Sequence, residues 1–196
     1  MANMDWSKEF GINSSLKQNF ARSEQEFSAQ VEQIKDLLQL SPADVLLDIG
    51  CNTGQYEKSL SPFVSHITGV DSSPVLIRQT QVLANVTFLV ADAMRLPLGD
   101  KTFDKTLMVS TLQYIPDPAK AIEEMRRVTK KTILFLNIPD KTQKESYFDG
   151  INKLNRSDEE KETIRQRNNA VHWFDRTDFT DTFDARPPFF GALISI

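Results

Sequence analysis

The sequence lacks three features that would place a protein outside the cytoplasm. Its single cysteine, Cys51, cannot form an internal disulfide. The opening stretch MANMDWSKEF has no apolar core of the kind that a secretory signal needs. No apolar run approaches the roughly 18 residues that suggest a membrane span. We therefore predict a cytoplasmic protein with no membrane partner.

The chain also lacks an excess of positive charge. It has 23 lysines and arginines and 27 aspartates and glutamates, which gives a formal net charge of −4. Binding to nucleic acid rests on clustered basic side chains. We expect no nucleic-acid partner. Histidine is rarer still, with two residues in the chain. His66 begins a predicted strand, and we interpret it as structural.

Apolar periodicity predicts alternating strands and helices. A helix is expected from Ser23, an N-cap followed three residues later by Glu26, to a point before Pro42. The other predicted elements are strands at 45–49, 66–71, 86–92, 105–110 and 132–138, and helices at 54–60, 72–84 and 118–130. Such alternation predicts an α/β fold, a doubly wound and mostly parallel sheet of about seven strands with helices on both faces.

We predict a single domain over residues 1–196, because this length supports one substantial core. Residues 1–40 form an N-terminal helical arm and residues 41–139 the central core. Residues 140–176, charged and rich in amides, form a helical insertion. Residues 177–196 form a closing helix, capped by Thr177, and a final strand.

The stretch DIGCNTG, residues 48–54, follows the first predicted strand. In a doubly wound sheet the ligand crevice lies at the carboxyl ends of the strands. Dinucleotide-binding turns place glycines at relative positions 0, 2 and 5, which here are Gly50, Asn52 and Gln55. The dinucleotide-binding pattern therefore fails at two of its three positions, Asn52 and Gln55. Asn52 still tolerates the left-handed conformation, so a sharp turn without a phosphate cradle is expected.

Four motifs in order resemble those of the class I S-adenosylmethionine-dependent methyltransferases. They are DIGCNTG, which departs from the family's glycine pattern at Asn52, GVDSSP (69–74), VADAMRLPLGDKTFD (90–104) and VSTLQYIPDPAKAIEEMRRVTK (109–130). The resemblance covers roughly residues 30 to 140. The family's Pro-Gly-Gly turn is replaced by KKT.

The resemblance implies S-adenosyl-L-methionine as cofactor, S-adenosyl-L-homocysteine as product and no metal. The implied cofactor-binding residues are Asp48, Gly50, Cys51, Asn52, Gly54, Asp71, Ser72, Asp92, Ala93 and Ser110. Each aspartate has an alternative role. Asp71 would bind the ribose or cap the next helix, Asp92 would contact adenine or cap its loop, and Asp48 would lie near the ligand's cationic end or hydrogen-bond its own turn. Cys51 is a packing residue rather than a nucleophile.

The resemblance also implies an acceptor-binding surface. The candidate substrate residues are Tyr114, Tyr147 and Trp173, and His172 is either a catalytic base or a packing residue. We expect methyl transfer to an oxygen or nitrogen atom of a small molecule. A non-catalytic S-adenosylmethionine-binding module and a nicotinamide-dependent oxidoreductase stay open as alternatives. The identity of the acceptor and the oligomeric state are left open.

Overall fold

The computed structural model describes residues 23–153, 157–179, 181–184 and 189–196. The arm predicted over residues 1–22 lies outside these ranges. The described chain forms one seven-stranded sheet in the order β3-β2-β1-β4-β5-β7-β6. The strands are β1 Val45–Ile49, β2 His66–Asp71, β3 Val86–Val90, β4 Phe103–Val109, β5 Thr129–Pro139, β6 Asp181–Asp184 and β7 Phe189–Ser195.

Strands β1 to β5 run parallel to one another, and β7 pairs antiparallel with both β5 and β6. The strand order reverses between β1 and β4, so a crevice is expected where these two strands end. The fold prediction is confirmed.

Helices cover both faces of the sheet. They are α1 Glu24–Leu38, α2 Gln55–Leu60, α3 Pro74–Ile77, α4 Pro118–Val128, α5 Lys144–Asn152 and α6 Asp158–Asn169. On one face α4 buries Ala121, Met125 and Val128 against a cluster that includes Leu47. On the other face α1 buries its apolar stripe against a cluster that includes Leu46. Because side chains alternate along a strand, Asp48 lies on the same face as Leu46, beneath α1 and α2.

Helix α1 begins as its sequence predicts. The Ser23 hydroxyl accepts a hydrogen bond from the Glu26 backbone N–H at 3.2 Å, and the Glu26 carboxylate accepts one from the Ser23 N–H at 3.0 Å. This reciprocal capping box satisfies two donors that a helix start leaves unpaired.

Two helix predictions are wrong. The helix expected over 72–84 ends at Ile77, where the Thr80 hydroxyl donates to the Ile77 carbonyl at 2.8 Å and replaces the next helical bond. The closing helix expected over 177–183 is a short 3-10 turn, Arg176–Asp178, followed by strand β6. Pairing with β7 gives this segment's backbone the hydrogen bonds that a helix would have supplied.

Helices α5 and α6 lie in the insertion, and a buried carboxylate holds this segment against the sheet. Asp140 follows β5 and accepts hydrogen bonds from the Thr142 backbone N–H at 2.9 Å and from Arg176 Nε at 2.7 Å. Burial alone would raise the pKa of Asp140, but the hydrogen bonds from Thr142 and Arg176 outweigh it and hold that pKa below its usual range. Both ends of the insertion are thus held at the carboxyl end of β5.

Candidate functional site

A tight turn joins β1 to α2. The N–H groups of Gly50 and Cys51 donate to the Val70 carbonyl of β2 at 2.7 and 3.1 Å, which fastens the turn to the neighbouring strand. Gly50, Asn52 and Gly54 have φ values of 82°, 53° and 82°. Asn52 therefore holds the left-handed conformation that glycine supplies in the usual motif.

Close approach of other side chains explains the two glycines of this turn. A Cβ atom at Gly50 would lie 2.5 Å from Thr111 Cγ2 and 2.8 Å from Thr111 Cβ. A Cβ atom at Gly54 would lie 2.7 Å from Cζ of Phe88 in β3. Any side chain at either position would displace a neighbour.

Asp71, the last residue of β2, joins the ends of two strands. Its carboxylate accepts hydrogen bonds from the Asn52 N–H at 3.0 Å and from the Ser73 N–H at 2.9 Å. Burial raises the pKa of Asp71, and these two amide hydrogen bonds oppose the rise. The helix-capping alternative for Asp71 is wrong, since Ser73 is the N-cap of α3 and its hydroxyl accepts from Leu76 N–H.

The segment after β3 supplies the second predicted binding loop. Asp92 is exposed and accepts a hydrogen bond from the Met94 N–H at 2.8 Å, so it caps its own loop. Ala93 beside it is half-buried, and Ser72, after β2, is exposed.

Two further left-handed residues lie at the ends of β4 and β5. Ser110 has φ 54° and Asn137 has φ 57°, and the Asn137 amide donates to Ser110 Oγ at 2.7 Å. The Gln30 side-chain amide of α1 donates to Asn137 Oδ1 at 3.5 Å, and the Tyr56 hydroxyl donates to the side-chain Oε1 of Gln30. Sequence reasoning missed Gln30, Tyr56 and Asn137.

The loop after β4 meets the end of the insertion. The His172 backbone N–H donates to the Gln113 carbonyl at 3.0 Å, while the His172 side chain is exposed. Gln113 is 5% exposed, and its side-chain Oε1 has no hydrogen-bond partner among the described residues. A buried acceptor without a donor is costly unless a ligand or an ordered water molecule satisfies it. Sequence reasoning missed Gln113 and named its neighbour Tyr114, which is half-buried.

Three aromatic rings cluster within the insertion. The Tyr147 ring centroid lies 5.7 Å from that of Trp173 and 5.8 Å from that of Phe148. Lys144 Nζ lies 5.9 Å from the Trp173 ring centroid. The structure thus brings together Tyr147 and Trp173, the two predicted acceptor contacts of the insertion, and adds Phe148 to them.

Two carboxyl groups are buried beneath the turn. Asp48 is 2% exposed and Glu57, in the first turn of α2, is fully buried. Burial and then the mutual proximity of the two groups raise the pKa of Glu57, and burial raises the pKa of Asp48. The alternative in which Asp48 hydrogen-bonds its own turn is wrong, since its oxygens accept no such bond. Sequence reasoning missed Glu57.

Cys51 is buried beside these acids. Burial, followed by the charges of Glu57, Asp48 and Asp71, raises the pKa of the Cys51 thiol far above its ordinary value. A thiol in this environment stays protonated, which agrees with a packing role. Within the described ranges, no three His, Cys, Asp or Glu side chains group as metal ligands, and no helix is long and apolar enough to cross a membrane.

A family model described as a methyltransferase domain matches residues 47–136, which include the turn, Asp71 and Asp92. Over these residues the chain matches the methyltransferase-domain family. The demethylmenaquinone methyltransferase of Staphylococcus aureus strain JH9 is 35% identical over 91 residues, 43% of this chain and 38% of that protein. The sterol 4-C-methyltransferase of Caenorhabditis elegans is 31% identical over 128 residues, 58% of this chain and 38% of that protein.

The alignments with these two relatives span 38% of the length of each. Among solved structures, the 4+2 cyclase SpnF is 27% identical with a TM-score of 0.55, covering 59% of this chain and 46% of that one. A Bacillus halodurans C-125 protein has a TM-score of 0.62 at 16% identity, covering 80% of this chain and 71% of that one. The second likeness concerns the fold alone.

Proposed function

We propose that the methyltransferase domain binds S-adenosyl-L-methionine across the ends of β1 to β4 and transfers its methyl group to an oxygen or nitrogen atom of a small molecule. The observation that carries this proposal is the Asp71 carboxylate, which is anchored by Asn52 N–H and Ser73 N–H beside a glycine turn. Each carboxylate oxygen has two lone pairs, so Asp71 keeps an acceptor site on each oxygen for a ribose hydroxyl.

The other residues of the site fit the same ligand. The uncharged turn suits a molecule that has no phosphates, and the missing side chain at Gly50 lets the turn pack closely against Thr111. Asp92 and Ala93 would contact the adenine, with Cys51, Asn52, Gly54, Ser72 and Ser110 lining the same strand ends. The bound cofactor supplies a methyl group already activated by a sulfonium. The protein's task is to align the acceptor with that methyl group and to exclude water.

The acceptor would lie against the loop after β4 and the insertion. Gln113 Oε1, buried and without a partner among the described residues, would accept a hydrogen bond from an acceptor N–H or O–H. Tyr114 and the cluster of Tyr147, Phe148 and Trp173 would supply apolar surface. A small molecule is favoured by the net charge of −4 and by relatives named for menaquinone and sterol methylation. The sterol relative is named for methylation at carbon. If the acceptor atom of this protein were a carbon, the predicted oxygen or nitrogen acceptor would be wrong, but the reaction would still be methyl transfer.

A second candidate function is cofactor binding without methyl transfer. It is favoured by the cyclase SpnF, which shares the fold and 27% sequence identity, since one fold supports several chemistries. The nicotinamide alternative is less favoured, because the turn lacks two of the three glycines of a pyrophosphate-binding turn.

Calorimetry should show binding of S-adenosylhomocysteine with a Kd between roughly 1 µM and 1 mM, the range of most enzyme KM values. NAD should show no heat under the same conditions. Transfer of label from methyl-labelled S-adenosylmethionine to phenols, quinols or amines then separates catalysis from binding alone. Binding of NAD in preference to S-adenosylhomocysteine would contradict the proposal.

Replacing His172 with alanine tests its role as a base. A hydroxyl acceptor with a high pKa should lose roughly 10² to 10⁴-fold in kcat, because its proton no longer has an acceptor, whereas an amine acceptor should keep its rate. The matched control is His66→Ala, at the start of β2, where the ring contacts Thr87 Oγ1 at 3.1 Å. Equal rates for H172A and wild type on a hydroxyl acceptor would leave His172 with a packing role only.

A further inference from the structure

The register of the sheet places Glu57 beside Asp48. Asp48 in β1 pairs with Gly69 in β2, and side chains at paired positions of a parallel sheet point to the same face. Gly69 has no side chain, and a Cβ atom there would lie 2.6 Å from Glu57 Oε1. The Glu57 carboxyl group therefore fills the space that Gly69 leaves open, next to Asp48.

All four oxygen atoms of Asp48 and Glu57 are buried and lack a conventional hydrogen-bond donor among the described residues. Ionised carboxylates only accept hydrogen bonds, so the contact between them becomes a hydrogen bond only when one carries a proton. Two adjacent buried negative charges are strongly unfavourable, as in other carboxyl dyads that keep one proton.

The other ionisable groups that face this pair are Asp71 at the end of β2 and Cys51 in the turn. Both are acidic groups, and no cationic side chain of the described residues pairs with Asp48 or Glu57. Among the described residues, the proton is therefore the only positive charge available to this pair. A pair of apolar residues would fill the same volume at lower cost, so stability does not account for two acids.

We propose that Glu57 keeps a proton, donates it in a hydrogen bond to Asp48, and so fixes one negative charge beneath the turn that favours the cationic cofactor over its neutral product. Glu57 is then a positioning residue that acts through Asp48, and this role rests on the proposed function. S-adenosylmethionine carries one net positive charge, whereas S-adenosylhomocysteine carries none. Because Asp48 is buried, it acts on the ligand through its charge rather than through exposed surface.

The test compares two variants of Glu57 by calorimetry with both ligands. In Glu57→Gln the side-chain amide still donates to Asp48, so the preference for S-adenosylmethionine over S-adenosylhomocysteine should equal that of the wild type. In Glu57→Leu the buried Asp48 has no donor and takes up a proton itself, so the preference should fall about tenfold at pH 7. Raising the pH should ionise Asp48 and restore the preference in Glu57→Leu alone.

Gln55→Leu, at an exposed position of the same helix, is the control and should bind both ligands as the wild type does. A second measurement needs no ligand. The folded wild type keeps a proton on Glu57, whereas the unfolded chain loses this proton above the ordinary pKa of a glutamate. The stability of the wild type should therefore fall as the pH rises above that value. The fall should be smaller in Glu57→Gln.

The outcomes separate the two proposals. Equal ligand preference at every pH in Glu57→Leu and wild type overturns the positioning role while leaving cofactor binding intact. Absence of any S-adenosylhomocysteine binding to the wild type overturns the proposed function and the positioning role together. A wild type whose stability does not fall more steeply with pH than that of Glu57→Gln shows that Glu57 carries no such proton.

Discussion

Alanine in place of Asp71 should weaken S-adenosylhomocysteine binding at least about 100-fold, or about 2.8 kcal/mol. Two effects add in this variant. The ligand loses a charged acceptor for its ribose hydroxyls, and the Asn52 N–H loses the partner that holds the turn in place. Calorimetry on the purified variant measures the loss.

Two further variants make this result specific. Asp71→Asn keeps one carbonyl acceptor and should bind with intermediate affinity. Asp36→Ala, on the exposed face of α1, removes the same charge from the chain and should bind as the wild type does. An Asp71→Ala protein with unchanged affinity would remove the residue on which the proposed function depends.

Alanine in place of Gly50 should destabilise the domain by about 3 kcal/mol and abolish cofactor binding. The new Cβ would lie 2.8 Å from Thr111 Cβ, and a φ of 82° is itself strained for any residue with a side chain. Chemical denaturation gives the change in the free energy of unfolding.

A double variant separates the two causes in Gly50→Ala. Adding Thr111→Gly removes the clash and leaves the backbone strain, so about half of the lost stability should return. Gly150→Ala, in helix α5, meets no atom within 4 Å and should stabilise the domain by roughly 0.5 to 1 kcal/mol. If Gly50→Ala were as stable as Gly150→Ala, the turn would not need glycine at position 50.

Local patterns were enough to predict most of the fold. Unbroken apolar runs identify β1 and β5 because both faces of these strands are covered, and Ser23 with Glu26 identifies the start of α1. The segment 177–183 misled because its apolar residues recur at a helical spacing. This segment forms strand β6 because it pairs with β7. A local sequence pattern cannot show pairing with a distant segment.

The residues of the site also divide into those that a local motif predicts and those that depend on distant neighbours. The turn and Asp71 were predictable, since each lies in a contiguous motif that ends a strand. Glu57 was not, because a charged residue in a short helix is typical of an exposed face, and only Gly69, twelve residues further along, makes room for it. Gln113 and Asn137 depend in the same way on neighbours that only folding supplies.

The space that Gly69 leaves for Glu57 has a consequence for how this protein can evolve. A side chain at position 69 would overlap with the carboxyl group of Glu57. The residues at positions 57 and 69 should therefore covary among homologous proteins. Where an orthologue has alanine or a larger amino acid in place of Gly69, we expect a shorter, uncharged amino acid at the position of Glu57 and weaker discrimination between donor and spent cofactor.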